Sequence, residues 1–329
     1  MVRFGLVGTN WITESFLQAA SQLDDFSLTA VYSRTSERAT EFAAKYGVTL
    51  TFTDLESMAK SSEIDAVYIA SPNSFHAEQA ILFMNHGKHV LCEKPIASNA
   101  FEVKAMIQAA KENNVLLMEA LKSTLVPNFK TVQQHIHTIG KVRRYVASYC
   151  QYSSRYDAYK QGVVLNAFNP AFSNGALVDI GIYCIYPLVV LFGKPLAVQA
   201  NGLLLESGVD GEGSILLKYE EMEAVIMYSK ITNSTIPFEI QGEEGNIRID
   251  KVNTPEQVEI YYRNGTVENI TQPQKGDSMF YEAKEFIELI QAGKLESSTN
   301  SHANSLAVME IIDEVRKQIG VVFPSDKKE

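Results

Sequence analysis

The residues that could do chemistry in this sequence stand at the ends of apolar segments. The tripeptide Glu-Lys-Pro at 93–95 follows the apolar run 89–92, and Asp179 and Tyr183 stand four residues apart farther along the chain. On a helix, that spacing places a carboxylate and a phenol on one face, one turn apart. Such a pair can handle a proton together, so the pattern predicts an acid–base site.

Each of these features also has a plainer interpretation. Lys94 could be a surface lysine in a turn, although ligands bind at the carboxyl edge of a parallel sheet, and a lysine there can move protons. Asp179 could be an aspartate in the first turn of a helix, with Tyr183 packed behind it. The chain has 15 tyrosines, so the type of residue alone does not decide between these interpretations.

The turn after the first apolar segment has the position of a dinucleotide-binding turn. Its residues are Gly8, Thr9, Asn10, Trp11, Ile12 and Thr13. Only Gly8 matches the G-x-G-x-x-G/A pattern, because Asn10 and Thr13 replace later small residues. Asn tolerates left-handed backbone angles, so we expect the turn to survive. Taken alone, the motif fits an ordinary strand-to-helix turn equally well.

The second strand-like segment ends in Ser33 and Arg34. Sites that prefer NAD usually place an Asp or Glu here to hold the ribose hydroxyls of the adenosine. Ser33 can instead bond a 2′-phosphate, and Arg34 can pair with it and stack on adenine. The pair favours NADP and leaves NAD open. The alternative is a solvated arginine at a helix start.

The elements that must position these residues change along the chain. In the first part, short strands alternate with helices, which predicts a parallel, doubly wound sheet. These strands are predicted at 3–7, 28–32, 66–70, 89–92 and 115–118. From about residue 141 strands dominate, at 142–149, 197–204, 214–219, 224–230, 238–241, 246–250 and 258–261. Helices are predicted at 98–114, 175–192, 279–292 and 301–320, and the Asn-Gly pair at 264–265 predicts a hairpin.

The predicted fold class is therefore α/β, with an N-terminal Rossmann domain followed by an α+β domain that has a large, mostly antiparallel, open sheet. We expect a dinucleotide-binding domain at 1–121 and a catalytic, substrate and dimerisation domain at 122–329. The helix at about 301–320 is expected to pack back on the first domain, and residues 326–329 to form a frayed, charged tail.

Composition excludes several classes of function. The formal net charge is −10, which disfavours binding to nucleic acid or to an anionic membrane. Cys92, Cys150 and Cys184 are widely spaced, so we expect neither disulfides nor a metal site but a reducing, cytoplasmic location. We also expect no secretion signal and no apolar stretch long enough to span a membrane.

Taken together, these motifs resemble the glucose-fructose oxidoreductase / inositol dehydrogenase / rhizopine catabolism (Gfo/Idh/MocA) family. The resemblance runs over nearly the whole chain and is closest to the branch of dimeric dihydrodiol dehydrogenases and NADP-dependent xylose dehydrogenases. The matching residues are the Gly8 turn, Ser71-Pro72-Asn73 with His76, Glu93-Lys94-Pro95, Glu119-Ala120, Gly175-Ala176-Leu177 and Asp179-Ile180-Gly181.

The resemblance implies a role for each residue. Lys94 would be the central catalytic lysine, Tyr183 the acid/base, and Asp179 would orient substrate or tune that pair. The nicotinamide half of the cofactor would be lined by Ser71, Pro72, Asn73, His76, Glu93 and Lys94. The Lys94–Pro95 peptide bond is often cis in this family. Two departures concern the substrate side: Ser173-Asn174 replaces two glycines, and Tyr183 replaces the commoner His, which points away from inositol-type members.

The reaction that the resemblance implies is reversible oxidation of a secondary alcohol of a sugar, polyol or vicinal diol, with NADP favoured. Arg155, Tyr156, Tyr159, Asn166 and Phe168 could line the substrate pocket, although surface or core positions are the more ordinary interpretation. An apolar outer sheet face would make the protein a homodimer or larger. The alternatives are a non-catalytic dinucleotide-binding regulator and a redox-assisted glycosidase with a tightly bound cofactor.

Overall fold

The computed structural model describes residues 1–327. The strands are β1 (Val2–Val7), β2 (Phe26–Tyr32), β3 (Leu50–Phe52), β4 (Ala66–Ile69), β5 (His89–Glu93), β6 (Leu117–Ala120), β7 (Val142–Cys150), β8 (Ala197–Leu204), β9 (Asp210–Lys218), β10 (Glu223–Ser229), β11 (Phe238–Gly242), β12 (Gly245–Ile249), β13 (Val258–Tyr262) and β14 (Val267–Asn269). The α-helices are α1 (Trp11–Ala20), α2 (Ser36–Ala44), α3 (Leu55–Ala59), α4 (His76–Asn85), α5 (Ala100–Glu112), α6 (Pro127–His135), α7 (Ser154–Lys160), α8 (Ile182–Phe192), α9 (Met279–Gln291) and α10 (His302–Ile319).

The first compact unit consists of residues 1–121 and 277–305. Its sheet has the order β3-β2-β1-β4-β5-β6, and every neighbouring pair is parallel. The chain runs outward from β1 to β3 and then returns to start β4 on the other side of β1. That reversal creates a switch point between β1 and β4, which is where such sheets bind ligands. The predicted doubly wound parallel sheet is confirmed.

Helix α9 belongs to this first unit, although the sequence analysis placed residues 277–292 in the second domain. Phe286 on α9 lies 5.8 Å from the ring of Phe4 on β1, and both side chains are fully buried. The apolar face of α9 thus covers the sheet next to α1. Periodicity predicts which face of a helix is buried, but not which sheet that face covers.

The second unit consists of residues 122–276 and of residues from 306 onward. Its sheet has the order β14-β13-β12-β11-β7-β10-β9-β8. Only β7 and β10 pair in parallel within residues 1–327 of this sheet, and the other neighbours are antiparallel. The predicted large, mostly antiparallel open sheet is confirmed. The hairpin at Asn264-Gly265 is also present, with Gly265 at φ +90° between β13 and β14.

Two edge strands were missed because they lack an apolar pattern. Residues 50–52 of β3 are only half-buried, and residues 267–269 of β14 are all exposed. The expectation of a frayed tail was wrong for Asp326, which accepts a hydrogen bond from Arg316 Nη1 at 2.7 Å. The last two residues of that expected tail, 328 and 329, lie outside the described residues.

The segment Pro170–Phe192 is long and apolar enough to cross a membrane, judged by length and composition alone, with a mean hydropathy of 2.0. The expectation that no apolar stretch reaches this length was therefore wrong. Its most apolar window is 72% buried inside the protein itself. Core helices of globular proteins reach the same hydropathy, because they are apolar on all sides.

Candidate active site

The turn after β1 can be made only by glycine at position 8. Gly8 has φ +111°, and a Cβ placed on it would lie 2.8 Å from the carbonyl oxygen of Ala70 at the end of β4. The backbones of β1 and β4 thus approach each other at the switch point, with nothing between them. In a Rossmann unit the first glycine makes this tight turn, and the pyrophosphate lies at the N-terminus of the helix that follows.

Asn10 supports the turn in a different way from the one expected. Its backbone is extended, with φ −108°, so the turn forms without the left-handed angles that Asn tolerates. Asn10 is the N-cap of α1: its Oδ1 accepts from Ile12 N and Thr13 N, and its Nδ2 donates to Ala70 O at 2.8 Å. The larger Thr13 is buried, and its hydroxyl donates to Gly8 O at 3.1 Å. Both departures from the glycine pattern therefore find hydrogen-bonding partners inside the turn.

Trp11 and Ile12 begin α1, immediately beside this turn. Trp11 is 63% exposed and is the single tryptophan of the sequence. The N-terminus of a helix presents backbone N–H groups and the positive end of its dipole to an anion. Residues 8–12 can therefore receive the diphosphate of a dinucleotide, and their geometry fits that group.

The sequence analysis missed an arginine next to the cofactor turn. Arg38, on α2, donates from Nη2 to Thr9 O at 2.7 Å and from Nε to Thr9 Oγ1 at 3.2 Å. Ser33 and Arg34 lie between β2 and α2, and the backbone N–H of Ser33 donates to Phe52 O. Arg38 stands four residues after Arg34, a spacing that was visible in the sequence. The two guanidinium groups lie on the segment that follows β2.

The loop after β4 is tied to the loop after β5 by a buried histidine. His76 Nδ1 lies 2.8 Å from Pro95 O, and His76 Nε2 lies 2.8 Å from Ser71 O. Burial lowers the pKa of His76, whereas both carbonyl oxygens favour its charged form. Ser71 also donates to Gln79 Oε1 at 2.6 Å. Pro72 and Asn73 lead into the 3-10 turn that precedes α4.

Lys94 directly follows β5, at the carboxyl edge of the same sheet. The Lys94–Pro95 peptide bond is cis, as expected. Glu93 is buried: its Oε1 accepts from Tyr68 Oη at 2.5 Å and its Oε2 from Lys94 N at 3.3 Å. The loop that carries Lys94 is thus held by side chains from the strands beneath it.

Glu119, near the end of β6, holds Ile96, the residue that follows Pro95 in the loop after β5. Its Oε1 accepts from the backbone N–H of Ile96 at 3.0 Å. Glu119 is 1% exposed, and burial raises its pKa to about 7, against the effect of its hydrogen bonds to Ser305 and Ile96. Glu119 is therefore a buried carboxyl with a raised pKa, and it holds the residue that follows Pro95.

In the second unit, Asp179 lies within a local break in helix geometry, and Tyr183 lies in the first turn of the helix that follows it. Residues Leu177–Gly181 form a π-helical turn that continues into α8. Asp210, buried at the start of β9, accepts from Leu177 N at 2.7 Å. Burial raises the pKa of Asp210 to about 6. Turns of the π type occur often at functional sites, because they displace side chains from the regular helix face.

Lys230 is the second residue that sequence reasoning missed. Its Nζ lies 2.5 Å from Asp179 Oδ2, and its side chain is only 4% exposed, whereas that of Asp179 is 31% exposed. Tyr183 is half-buried, with its ring 5.7 Å from that of Tyr149. Lys230 follows β10 and pairs with a residue 51 positions earlier in the chain. Such a distant pair leaves no local pattern in the sequence.

The aromatic residues proposed for the substrate pocket mostly form a small core. Phe168 is fully buried, and Tyr156 and Tyr159 pack against it with ring centroids 5.7 and 5.4 Å away. Arg155 and Asn166 are exposed. Ser173, which stands in place of a glycine, has φ +51° and is buried. Within residues 1–327, no cluster of three or more His, Cys, Asp or Glu side chains has the arrangement of a metal site.

Comparison with known proteins identifies the family. The model of the Gfo/Idh/MocA oxidoreductases with an NAD-binding Rossmann fold matches residues 2–121, and the C-terminal domain model of the same family matches residues 129–248. The chain belongs to the Gfo/Idh/MocA oxidoreductase family. The resemblance found in the sequence motifs is confirmed, and the protein is a nicotinamide-dependent oxidoreductase.

Similar proteins cover the whole chain. The scyllo-inositol 2-dehydrogenase (NADP(+)) IolU of Bacillus subtilis (strain 168) is 60% identical, over 99% of this chain and 100% of that protein. A trans-1,2-dihydrobenzene-1,2-diol dehydrogenase of Danio rerio is 32% identical, over 99% of both chains. Among solved structures, a levoglucosan dehydrogenase in complex with NADH and levoglucosan has a TM-score of 0.86 at 23% identity, covering 97% of both chains.

These relatives correct one interpretation. Tyr183 was taken to point away from inositol-type members of the family, yet the relative at 60% identity is named as an inositol dehydrogenase. The interpretation that Tyr183 points away from inositol-type members is therefore not supported.

Proposed function

We propose that this protein is an NADP-dependent dehydrogenase that oxidises one secondary hydroxyl of a cyclic polyol, with scyllo-inositol as the first compound to test. The polyol class is supported by the 60% identity to IolU over the full length of both chains. The observation that carries the proposal is the position of Lys94 beside the carboxyl edge that also holds the Gly8 turn and His76. Proton-handling and cofactor-binding groups share that edge.

The preference for NADP is attributed to Arg34 and Arg38. No Asp or Glu follows β2 in the position that would repel a 2′-phosphate. Arg38 is already anchored to Thr9, beside the residues that fit the diphosphate. A guanidinium held in place loses little further side-chain freedom when it binds a phosphate.

The catalytic roles are assigned to three residues of this chain. Tyr183 takes the proton of the reacting hydroxyl, Lys94 assists that transfer with its ammonium group, and Asp179 accepts a hydrogen bond from a neighbouring hydroxyl. When bound, the nicotinamide cofactor supplies the hydride acceptor. The backbone of Lys94 is held for this task by Glu93 and by the contact of His76 with Pro95.

The proposal also covers the oligomeric state of the protein and its cellular location. The outer face of the second unit's sheet carries Leu203 and Leu216, each 51% exposed, and Val225, which is paired with Leu216. We expect this face to join two copies into a homodimer, which sedimentation at micromolar concentration would detect. The described cysteines are all free thiols, consistent with a reducing, cytoplasmic location.

The experiment that tests the function is a screen of purified protein against inositol isomers, pyranose sugars and vicinal diols. Each is supplied with NADP⁺ or NAD⁺, and reduction is followed by nicotinamide absorbance. We expect a higher kcat/KM with NADP⁺ and turnover of at least one inositol. No turnover of any secondary alcohol would refute the proposal, and turnover of acyclic diols alone would refute its cyclic-polyol part. Hydrolysis of a glycoside without net reduction would instead favour a redox-assisted glycosidase.

A further inference from the structure

Lys230 is a buried cation at the junction of three chain segments in the second unit. It directly follows β10, and its ammonium group bonds to Asp179 Oδ2 at 2.5 Å and to Ala167 O at 3.0 Å. The same Nζ lies 4.9 Å from the centre of the Phe168 ring. One side chain therefore connects the end of a strand, the 3-10 turn at 166–168 and the π-helical turn that carries Asp179.

Two carboxyl groups interact with this cation. Asp179 lies within the π-helical turn and is partly exposed, whereas Asp210 is buried and holds the first N–H of that turn. The charge of Lys230 opposes the rise that burial causes in the pKa of Asp210. Lys230 therefore acts on one acidic group in the turn and on another that holds it.

Burying an ammonium group is costly unless its hydrogen bonds are made. An apolar side chain of similar volume would fill this space without that cost, and replacement of buried ion pairs in this way often leaves stability unchanged or higher. Stability alone is thus a poor reason for a lysine here. The ion pair does accomplish something that an apolar residue cannot: it holds the Asp179 carboxylate in one position.

We propose that Lys230 is a positioning residue for substrate recognition, because it fixes the Asp179 carboxylate that accepts a hydrogen bond from a polyol hydroxyl. This inference rests on the proposed function. Oδ2 of Asp179 is bound to Lys230, and 31% of the Asp179 side chain is exposed, so a substrate hydroxyl can reach the carboxylate. Because Lys230 also binds Ala167 O, it sets the position of the 166–168 turn relative to Asp179.

The test is a double-mutant cycle of Lys230→Met and Asp179→Asn. Hydrogen bonds to charged groups are worth about ten- to a hundredfold in equilibrium constants, so we expect Lys230→Met to raise KM for the polyol by roughly that factor. The dissociation constant of NADPH should stay within about twofold. In the Asp179→Asn background, Lys230→Met should cause little further loss of kcat/KM, because the residue it acts through is already gone.

Two further variants separate positioning from folding. Lys88→Met is the matched control, since Lys88 is a half-buried lysine of the first unit that donates to Ser61 O and Ile64 O. It should lose stability but keep KM for the polyol. Lys230→Arg retains the charge and should restore part of the lost affinity. If Lys230→Met does not fold, Lys230→Gln takes its place, with the same rise in KM expected.

Three results would overturn the inference: a wild-type KM in the folded Lys230→Met or Lys230→Gln protein, full multiplication of the Lys230 and Asp179 losses, or an equal rise in KM in Lys88→Met. These results are distinguishable from failure of the proposed function, which is read from the wild-type protein alone. Absence of turnover in wild type refutes that function and this inference with it. Wild-type turnover combined with an unaffected Lys230 variant refutes only the inference.

Discussion

The two candidate functional regions of this chain are built on different principles. At the carboxyl edge of the first sheet, main-chain groups dominate: Gly8 lets two strands approach, Asn10 caps α1 through the helix's backbone N–H groups, and the His76 ring lies between two carbonyl oxygens. In the second unit, charged side chains dominate, as Lys230 pairs with Asp179. The geometry of the first region is set mainly by the backbone, whereas that of the second is set by pairs of charged side chains.

The difference explains what each region tolerates. The turn at Gly8 depends on its backbone conformation, so no other residue can replace Gly8. The neighbouring positions tolerate larger side chains, as Asn10 and Thr13 show. A charge arrangement depends on complete pairs, because removing one partner leaves the other buried without compensation. We therefore expect substitutions in the two regions to fail in different ways.

The largest effect should come from the groups that move the proton. Tyr183→Phe should lower turnover by roughly 10²–10⁴, the usual contribution of one acid or base, with NADPH affinity unchanged. Lys94→Ala should be similarly damaging. The double variant should lose much less than the product, because groups that act as a unit are not additive. Losses that multiply fully would show that the lysine of one region and the phenol of the other act independently.

Gly8→Ala tests whether the first region depends on backbone shape. The added Cβ would meet Ala70 O at 2.8 Å, and alanine at φ +111° is strained. We expect a loss of about 1–3 kcal/mol in unfolding free energy, with at least tenfold weaker NADPH binding. Denaturant melts and cofactor titration measure both. Gly47→Ala is the control, because it also has positive φ but no atom within 4 Å of an added Cβ; equal effects on cofactor binding would contradict the close-approach argument.

The pair of arginines after β2 is a part of the first region that relies on charge. Arg38→Ala and Arg34→Ala should each weaken NADPH by about ten- to a hundredfold while changing NADH by much less, because only NADPH carries the 2′-phosphate. The ratio of the two dissociation constants is the measurement. If both cofactors weaken equally for Arg38→Ala, its contact with Thr9 matters only for the shape of the turn.

Glu119 provides a pH test of the first region. Its folded pKa, near 7, lies above the ordinary 4.5, so the folded state binds its proton more tightly than the unfolded state does. The stability that it contributes is full below pH 4.5 and is lost as pH rises toward 7. Glu119→Gln keeps an acceptor for Ile96 N and removes the titration. Over that range the variant should gain about 3 kcal/mol relative to wild type, and a pH-independent difference in denaturant melts would contradict the assignment.

The same contrast shows how much could be predicted from sequence. The parallel sheet and its carboxyl edge followed from the alternation of short strand and helix patterns, the family followed from motifs in short segments, and the cis Lys94–Pro95 bond followed from the family resemblance. The role of Lys230 could not be predicted, because its partner is distant in sequence and no sequence pattern marks a single buried lysine. The capping role of Asn10 was also missed, since its hydrogen bond depends on where β4 places the Ala70 carbonyl.

The position of Trp11 gives the protein its own optical reporter. It is the single indole in 329 residues, it is 63% exposed, and it begins the helix beside the Gly8 turn. Indole emission overlaps the absorption of reduced nicotinamide, so bound NADPH should quench Trp11 fluorescence by energy transfer and emit in its place. Selective excitation of that one ring lets cofactor occupancy be followed without a label in every variant described above.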